Sequence, residues 1–420
     1  MKTFKRAVAA ACCIAMLSAT ACSDGTVVKE KDKQVEITFS WWGNDDRDRY
    51  TIEAIEKFEE QNPNITVKVS YSEWASYEMR NKVAMISDTE ADVMQINYGW
   101  LDAYSADGAG YYDLNKVADT LALDNFDSTS LKYGEKNGTL NAVPIAMNTA
   151  TVYINKTIYD KYGQPVPETW DDLFKAANAM RRDGIYPMSA ASKSLWLYLI
   201  AYAEQVSGKS FVNESGELSF SSSEFQAMME FYKRLVDEKV LPLVEKYERL
   251  GLTNGQYAGA IAWVSDATSY FSESIEAGEE IVCANYTTLD GNNIGQGWYA
   301  KPATMYAISK NTEHPEESAK LLDFLLNSEE MSDLQGIEKG IPLSAAALKN
   351  CQDDDMLTGI QYDASLKMTG ISLAEMAPVM ENGDMIDDFF AAANDYIYSK
   401  SDVYNAAKNF NEKIKTDYFS

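Results

Sequence analysis

"VEITFSWWGNDDRDRYTIEAIEKFEEQNPNITVKV", residues 35–69, is the stretch whose reading decides the fold. Val35, Ile37 and Phe39 alternate with polar residues, as the covered face of a strand does. Trp41 and Trp42 close that strand, and Gly43, Asn44, Asp45 and Asp46 open a polar loop. Tyr50, Ala54 and Phe58 then recur four residues apart with Ile52 and Ile55 alongside, which is one face of a helix. "EEQNPN" stops the helix at Pro63, and Ile65, Val67 and Val69 alternate as a second strand. Strand, helix, strand predicts an α/β fold with a parallel sheet covered on both faces. Ligands of such sheets bind outside the carboxyl ends of the strands, where the tryptophan pair stands. Neighbouring strand residues point to opposite faces. One tryptophan therefore packs between sheet and helix while the other, Trp42 in this reading, faces the cleft.

Further along, "DVMQINYGW" reads as a third strand with Trp100 just past its end. Residues 143–154 are apolar around Pro144 and Asn148, and the chain turns helical at Lys156. In "PETWDD", Thr169 is an expected helix N-cap with Asp172 three residues on, a variant of the capping box. That helix is expected to run to Gly184, and residues 185–250 read as mainly helical. "GQYAGAIAWV" and "EIVC" are expected strands, the first ending at Trp263. "AISKNTEHPEESAKLLDFLL" is a strand end followed by a helix, and helices close the chain.

A length of 420 residues predicts two or three lobes. Hydrophobic content of 46% with 24% charged residues is that of a globular protein, and the net charge is −27. Such acidity argues against nucleic acid or an anionic membrane surface as partner. The single histidine, His314, reads as a surface residue at a helix start. With one histidine, His-ligated zinc and Ser-His-Asp hydrolysis are not expected, and no metal or cofactor is.

Lys2, Lys5 and Arg6 precede an eleven-residue apolar run, 7–17, too short to span a bilayer. Residues 1–21 read as a leader, and "LSATACSDG" resembles a bacterial lipoprotein signal with Cys22 as the lipidated first residue. Ala19 stands where such signals usually carry Leu, and simple cleavage after "ATA" is the alternative. Removing the leader takes away three positive charges and no negative one. Residues 22–34 form a polar tether. Cys283 and Cys351 then remain for the folded part, either as a disulfide or as two buried thiols.

The ordered set "ITFSWW", "PIAMNTATVYINKTIYDKYG", "PETWDDL", "GQYAGAIAWV", "AISKNTEHPEESAKLLDFLLNSEE" and "GIP" resembles the extracellular solute-binding proteins of ABC importers, the family that includes maltose-binding protein. The resemblance spans roughly residues 35–418. It implies a type II periplasmic-binding-protein-like fold, with two lobes and a hinge crossed several times. Lobe one would hold 35–148 plus 300–345, and lobe two 149–299 plus 346–420. The hinge would lie near 147–151, 287–298 and 343–347. It further implies a monomeric protein without catalysis of its own, anchored on the outer face of the cytoplasmic membrane, which captures its ligand between the lobes and delivers it to ABC permease subunits.

The eight tryptophans and 26 tyrosines point to a carbohydrate. A pyranose ring has C–H groups on its faces and hydroxyls at its edge, so flat aromatics cover the one and carboxylates and amides bind the other. An aromatic contact adds about 1 kcal/mol beyond buried area, and a micromolar ligand needs about 8 kcal/mol in all. Trp42, Trp74, Trp100, Trp263 and Trp298 are the candidate platforms, while Trp170 and Trp196 read as core. Asn44, Asp45, Glu73, Asn148 and Asp266 are the candidate polar partners. For the acids a solvated surface, for Asn44 or Asp45 a helix cap, and for Asn148 a hinge hydrogen bond are the alternative roles. An oligosaccharide is the expected ligand. A polyamine boxed by aromatics and carboxylates remains an alternative, and a glycoside hydrolase with paired carboxylates is the enzymatic one.

Overall fold

The computed structural model describes residues 34–419 apart from 214 and 293. The leader, Cys22 and all but the last residue of the tether lie outside the described residues.

Ten strands are formed among the described residues: β1 (Val35–Trp42), β2 (Ile65–Ser72), β3 (Val93–Ile96), β4 (Glu135–Lys136), β5 (Thr139–Leu140), β6 (Ala142–Asn155), β7 (Gly259–Trp263), β8 (Ile281–Cys283), β9 (Tyr299–Ile308) and β10 (Ala374–Glu375). The main sheet runs in the order β2-β1-β3-β9-β6-β7, with β10 beside β9 and β8 beside β6. β1 pairs in parallel with both β2 and β3, as the opening stretch predicts. β9 instead runs antiparallel to β3 and β6, and β6 antiparallel to β7, while the two-residue β10 lies parallel to β9. The wholly parallel sheet expected from the alternation of strands and helices therefore holds only at one end.

The reason lies in β6. Its first half, Ala142 to Thr149, pairs with β9, and its second half, Ala150 to Ile154, pairs with β7. Pro144 has no N–H to give a ladder, and the register with β9 slips on either side of Ala146. One fourteen-residue strand thus passes from one group of elements to another. On one side the core gathers Ile37, Phe39, Trp41, Phe58, Tyr306 and Leu322. On the other it gathers Val152, Trp170, Trp196, Phe225, Phe389 and Phe410. These are the two lobes of a periplasmic-binding-protein-like fold.

The local signals behave as their chemistry dictates. Trp41 is buried and its indole Nε1 donates to Asp48 Oδ1 at 2.8 Å, fastening β1 to the helix Asp45–Gln61. Asn44 caps that helix, its Oδ1 accepting from Arg47 N at 2.9 Å. Thr169 and Asp172 form a reciprocal capping box at the start of Trp170–Met180. A 3-10 turn continues that helix to Gly184, whose φ of 74° is a conformation suited to glycine. Trp170 and Trp196 are core residues as expected. The helix Ala345–Asp353 packs on the helices Pro315–Asn327 and Glu329–Gln335. The expected crossing at 343–347 thus precedes this helix, whereas the packing keeps the helix with lobe one. Cys283 and Cys351 are both free thiols; the disulfide alternative does not form.

Candidate functional site

The carboxyl ends of β1 and β2 come together with the far lobe around a cavity of about 520 Å3, within the range of small-ligand sites. Trp42, at the end of β1, is half-buried and lines it. Trp74 opens the helix Trp74–Ser87 just after β2, and its ring meets that of Trp42 edge-on at 5.0 Å. Trp263, at the end of β7, faces the cavity from the other lobe. Three indoles from three strand ends thus converge on one space. The alternation along β1 explains the first: Trp41 is turned into the core, so Trp42 is turned out.

Charge is added between the indoles. Lys301 rises from β9 with its side chain 5% exposed, and Glu381 approaches from the 3-10 turn Pro378–Glu381 with 2%. Lys301 Nζ lies 3.1 Å from Glu381 Oε1, and Lys193 Nζ lies 3.4 Å from the same oxygen. Each ammonium also lies beside an indole, Lys301 4.7 Å from the ring centre of Trp263 and Lys193 5.6 Å from that of Trp74. Burial, the largest influence on Glu381, pushes its carboxyl up, but the two lysines outweigh it and hold it below the ordinary range. Burial lowers Lys301. Two ammonium groups thus share one carboxylate, and Glu381 Oε2 is buried without a hydrogen-bond partner in the protein. Across the whole lining, Arg47, Lys193, Arg249 and Lys301 face the acids Glu78, Asp266, Glu381 and Asp387, so the cavity is densely charged with both signs.

Arg47 also lines the cavity, its Nε donating to both oxygens of Glu338 at 2.7 and 2.9 Å. Asp266 faces the cavity from the other lobe. Burial raises its carboxyl against the pull of Arg47. Asn148 lines the space where β6 leaves lobe one, and its amide is engaged within the protein. Nδ2 donates to Ser265 Oγ at 2.8 Å, and Oδ1 accepts from Thr149 N and Ser265 N. It ties β6 to the turn after β7 while also lining the cavity. Asn44 lines the cavity as well as capping its helix.

Four expected site residues stand elsewhere. Trp298 is 2% exposed and packs inside lobe two, stacked on Tyr286 at 4.1 Å. Gly295 and Gly297 take φ of 100° and 79°, which turns the loop so that its tryptophan enters the core. Trp100 is 7% exposed and stacks on Trp74 at 5.8 Å, supporting the indole wall from behind. Glu73 is exposed and caps the helix it precedes, accepting from Ala75 N and Ser76 N at 2.7 and 2.9 Å. Asp45 is exposed in the first turn of its helix and does not line the cavity.

The sequence reading missed Arg47, Lys193, Arg249, Lys301 and Glu381. Lys301 had a usable signal: in "WYAKPATMYAI" it is a charge in an apolar strand, which burial tolerates only with a partner. Glu381 gave none, because its partners Lys301 and Lys193 are 80 and 188 residues away in the chain and arrive only through the fold.

A two-lobed α/β molecule with an aromatic and charged cavity between its lobes, at the ends of its parallel strands, is built as a solute-binding protein. The chain belongs to the family of bacterial extracellular solute-binding proteins, whose model matches residues 42–332. The curated multiple sugar-binding protein of Streptococcus mutans is 22% identical over 407 residues, covering 91% of this chain and 90% of its own. A periplasmic oligogalacturonide binding protein from Yersinia enterocolitica, solved with saturated digalacturonic acid, is 30% identical. It superposes with a TM-score of 0.84, covering 90% of this chain and 98% of that one. A periplasmic solute binding protein from Pectobacterium atrosepticum is 29% identical with the same TM-score, covering 91% and 98%. Among the described residues no helix is long and apolar enough to cross a membrane.

Proposed function

We propose that the interlobe cavity captures a short acidic oligosaccharide, one whose sugar units carry carboxylates, and that the chain delivers it to an ABC importer. The observation that carries this reading is the pair Lys193 and Lys301, two ammonium groups on one buried carboxylate, each beside an indole. An indole covers the C–H face of a sugar ring, and the ammonium beside it meets the ring's carboxylate. The digalacturonic acid held by the Yersinia protein supports the same class. Polyamine binding has Asp266, Glu78 and Asp387 in its favour, all lining the cavity. Against it, two lysines already stand beside the indoles that would have to box an ammonium group.

Closure of the lobes brings both walls onto the ligand, so binding shifts an open–closed equilibrium that a permease can read. In this reading the hinge includes β6 between its two pairings and the start of β9. Cys22 carries the lipid that keeps the protein near its permease, with residues 23–34 as tether. The protein binds without converting its ligand.

Calorimetric titration with digalacturonate, its dimethyl ester and spermidine tests the ligand class. The acid is expected to bind, the ester to bind at least about tenfold more weakly, and spermidine not to bind. Equal binding of acid and ester, or binding of spermidine alone, overturns the reading. Intact digalacturonate after prolonged incubation is expected. Fatty-acid labelling that disappears in Cys22→Ala tests the anchor.

A further inference from the structure

The interlobe cavity does not end at its lobe-two wall. A second hollow of about 190 Å3 adjoins it, and Arg249, Ser269 and Tyr270 bound both. The Arg249 guanidinium lies 4.8 Å from the Tyr270 ring centre and donates to Ser269 O. The partition between the two spaces is therefore a cation stacked on an aromatic ring and pinned to the backbone. On the far side stand Leu250, 67% exposed, and Ser272, half-buried on the helix Ala267–Glu276. An aromatic ring, an apolar edge, small hydroxyl side chains and a guanidinium are the groups a sugar unit with a carboxylate uses.

We infer that this second hollow is a further subsite, taking a third unit of an acidic oligosaccharide whose first two units occupy the main cavity. The inference rests on the acidic-oligosaccharide reading and adds a chain length and direction to it. Arg249 and Tyr270 hold the junction: the guanidinium, fixed on the ring, has donors left for a carboxylate between the second and third units. The hollow has a little over a third of the main cavity's volume, so it has room for one ring. Thr253 and Glu273 at its outer side are exposed, so a fourth unit would extend into solvent.

Titration of the full chain with di-, tri- and tetragalacturonate tests this, using wild type, Ser272→Phe and Thr253→Trp, the last two placed to fill the hollow without touching the main cavity. Wild type is expected to bind the trimer roughly three- to tenfold more tightly than the dimer, the worth of one aromatic contact. The tetramer should gain nothing more. Both variants should bind the dimer as wild type does and lose the gain for the trimer. Equal affinity for dimer and trimer in wild type overturns the subsite while leaving the main-cavity reading intact. So does a gain that survives in both variants. If no galacturonate binds wild type, the acidic-sugar reading falls and takes the subsite with it.

Discussion

Lys193 Nζ lies 5.6 Å from the ring centre of Trp74, joining the helix Ser192–Ser207 of one lobe to the helix Trp74–Ser87 of the other across the cavity. The same ammonium reaches Glu381, which Lys301 also holds. The site is thus a chain of contacts, indole to lysine to carboxylate to lysine to indole, spanning the space where a ligand would lie.

Removing either lysine should act on binding first. Lys193→Met leaves Glu381 paired with Lys301 and should keep the fold. Its affinity for an acidic disaccharide should fall about tenfold to a hundredfold, the loss of one charge-assisted hydrogen bond. Lys301→Met removes the more buried partner, so it should also lower stability, by about 3 kcal/mol. Titration and thermal unfolding of the two variants separate these effects.

Trp263 and Trp298, which the sequence treats alike, should behave differently. Trp298→Ala empties a site between Tyr286 and Tyr198 and should cost about 3–5 kcal/mol of stability. Trp263→Ala removes a half-buried cavity wall and should weaken ligand binding with a smaller stability loss. Denaturant unfolding beside calorimetry checks both, and equal stability losses would contradict the placement of Trp298.

Affinity for an anionic ligand should tighten as pH falls. The Asp266 carboxyl is raised chiefly by burial, and a second anion in the cavity raises it further, so binding takes up a proton. At pH values above the Asp266 pKa its charge opposes the ligand; below, that opposition is gone. Glu78 and Asp387, also raised by burial, add to the slope. Asp266→Asn should flatten the dependence above the ordinary carboxylate range and tighten binding at neutral pH.

Lys339 gives a pH effect on stability rather than on binding. It is buried in the loop between Gly336 and Gly340, donates to Tyr306 Oη at 2.8 Å, and burial lowers its pKa to about 7. The unfolded chain keeps this proton up to about pH 10.4. Between the two values the unfolded state binds more protons, so stability from this group rises with pH. The stability of Lys339→Met relative to wild type should therefore be greatest below about pH 7 and fall by on the order of 5 kcal/mol toward pH 10. A pH-independent difference between the two unfolding curves would contradict a buried, depressed lysine.

Much of the fold could be read from short-range pattern. The alternation of Val35, Ile37 and Phe39, the helix face of Tyr50, Ala54 and Phe58, and the cap at Thr169 are local and survive folding unchanged. The antiparallel β9, β6 and β7 were not legible, because strand direction depends on which lobe each segment returns from. Within the site, tryptophans at the ends of β1 and β7 were readable because strand alternation and topology fix their direction. Trp298 was not, since its direction is set by two glycine torsions in a loop. Lys193, Lys301 and Glu381 come from three distant segments whose meeting is a product of tertiary packing alone.

The most direct test is the structure of the complex with digalacturonate. A sugar ring should lie against Trp42, Trp74 or Trp263, with a ligand carboxylate within hydrogen-bond distance of Lys193 or Lys301 Nζ and both lobes touching it. A ligand bound outside this cavity, or one inside it whose carboxylates all face solvent while Glu381 keeps both lysines, would contradict the account.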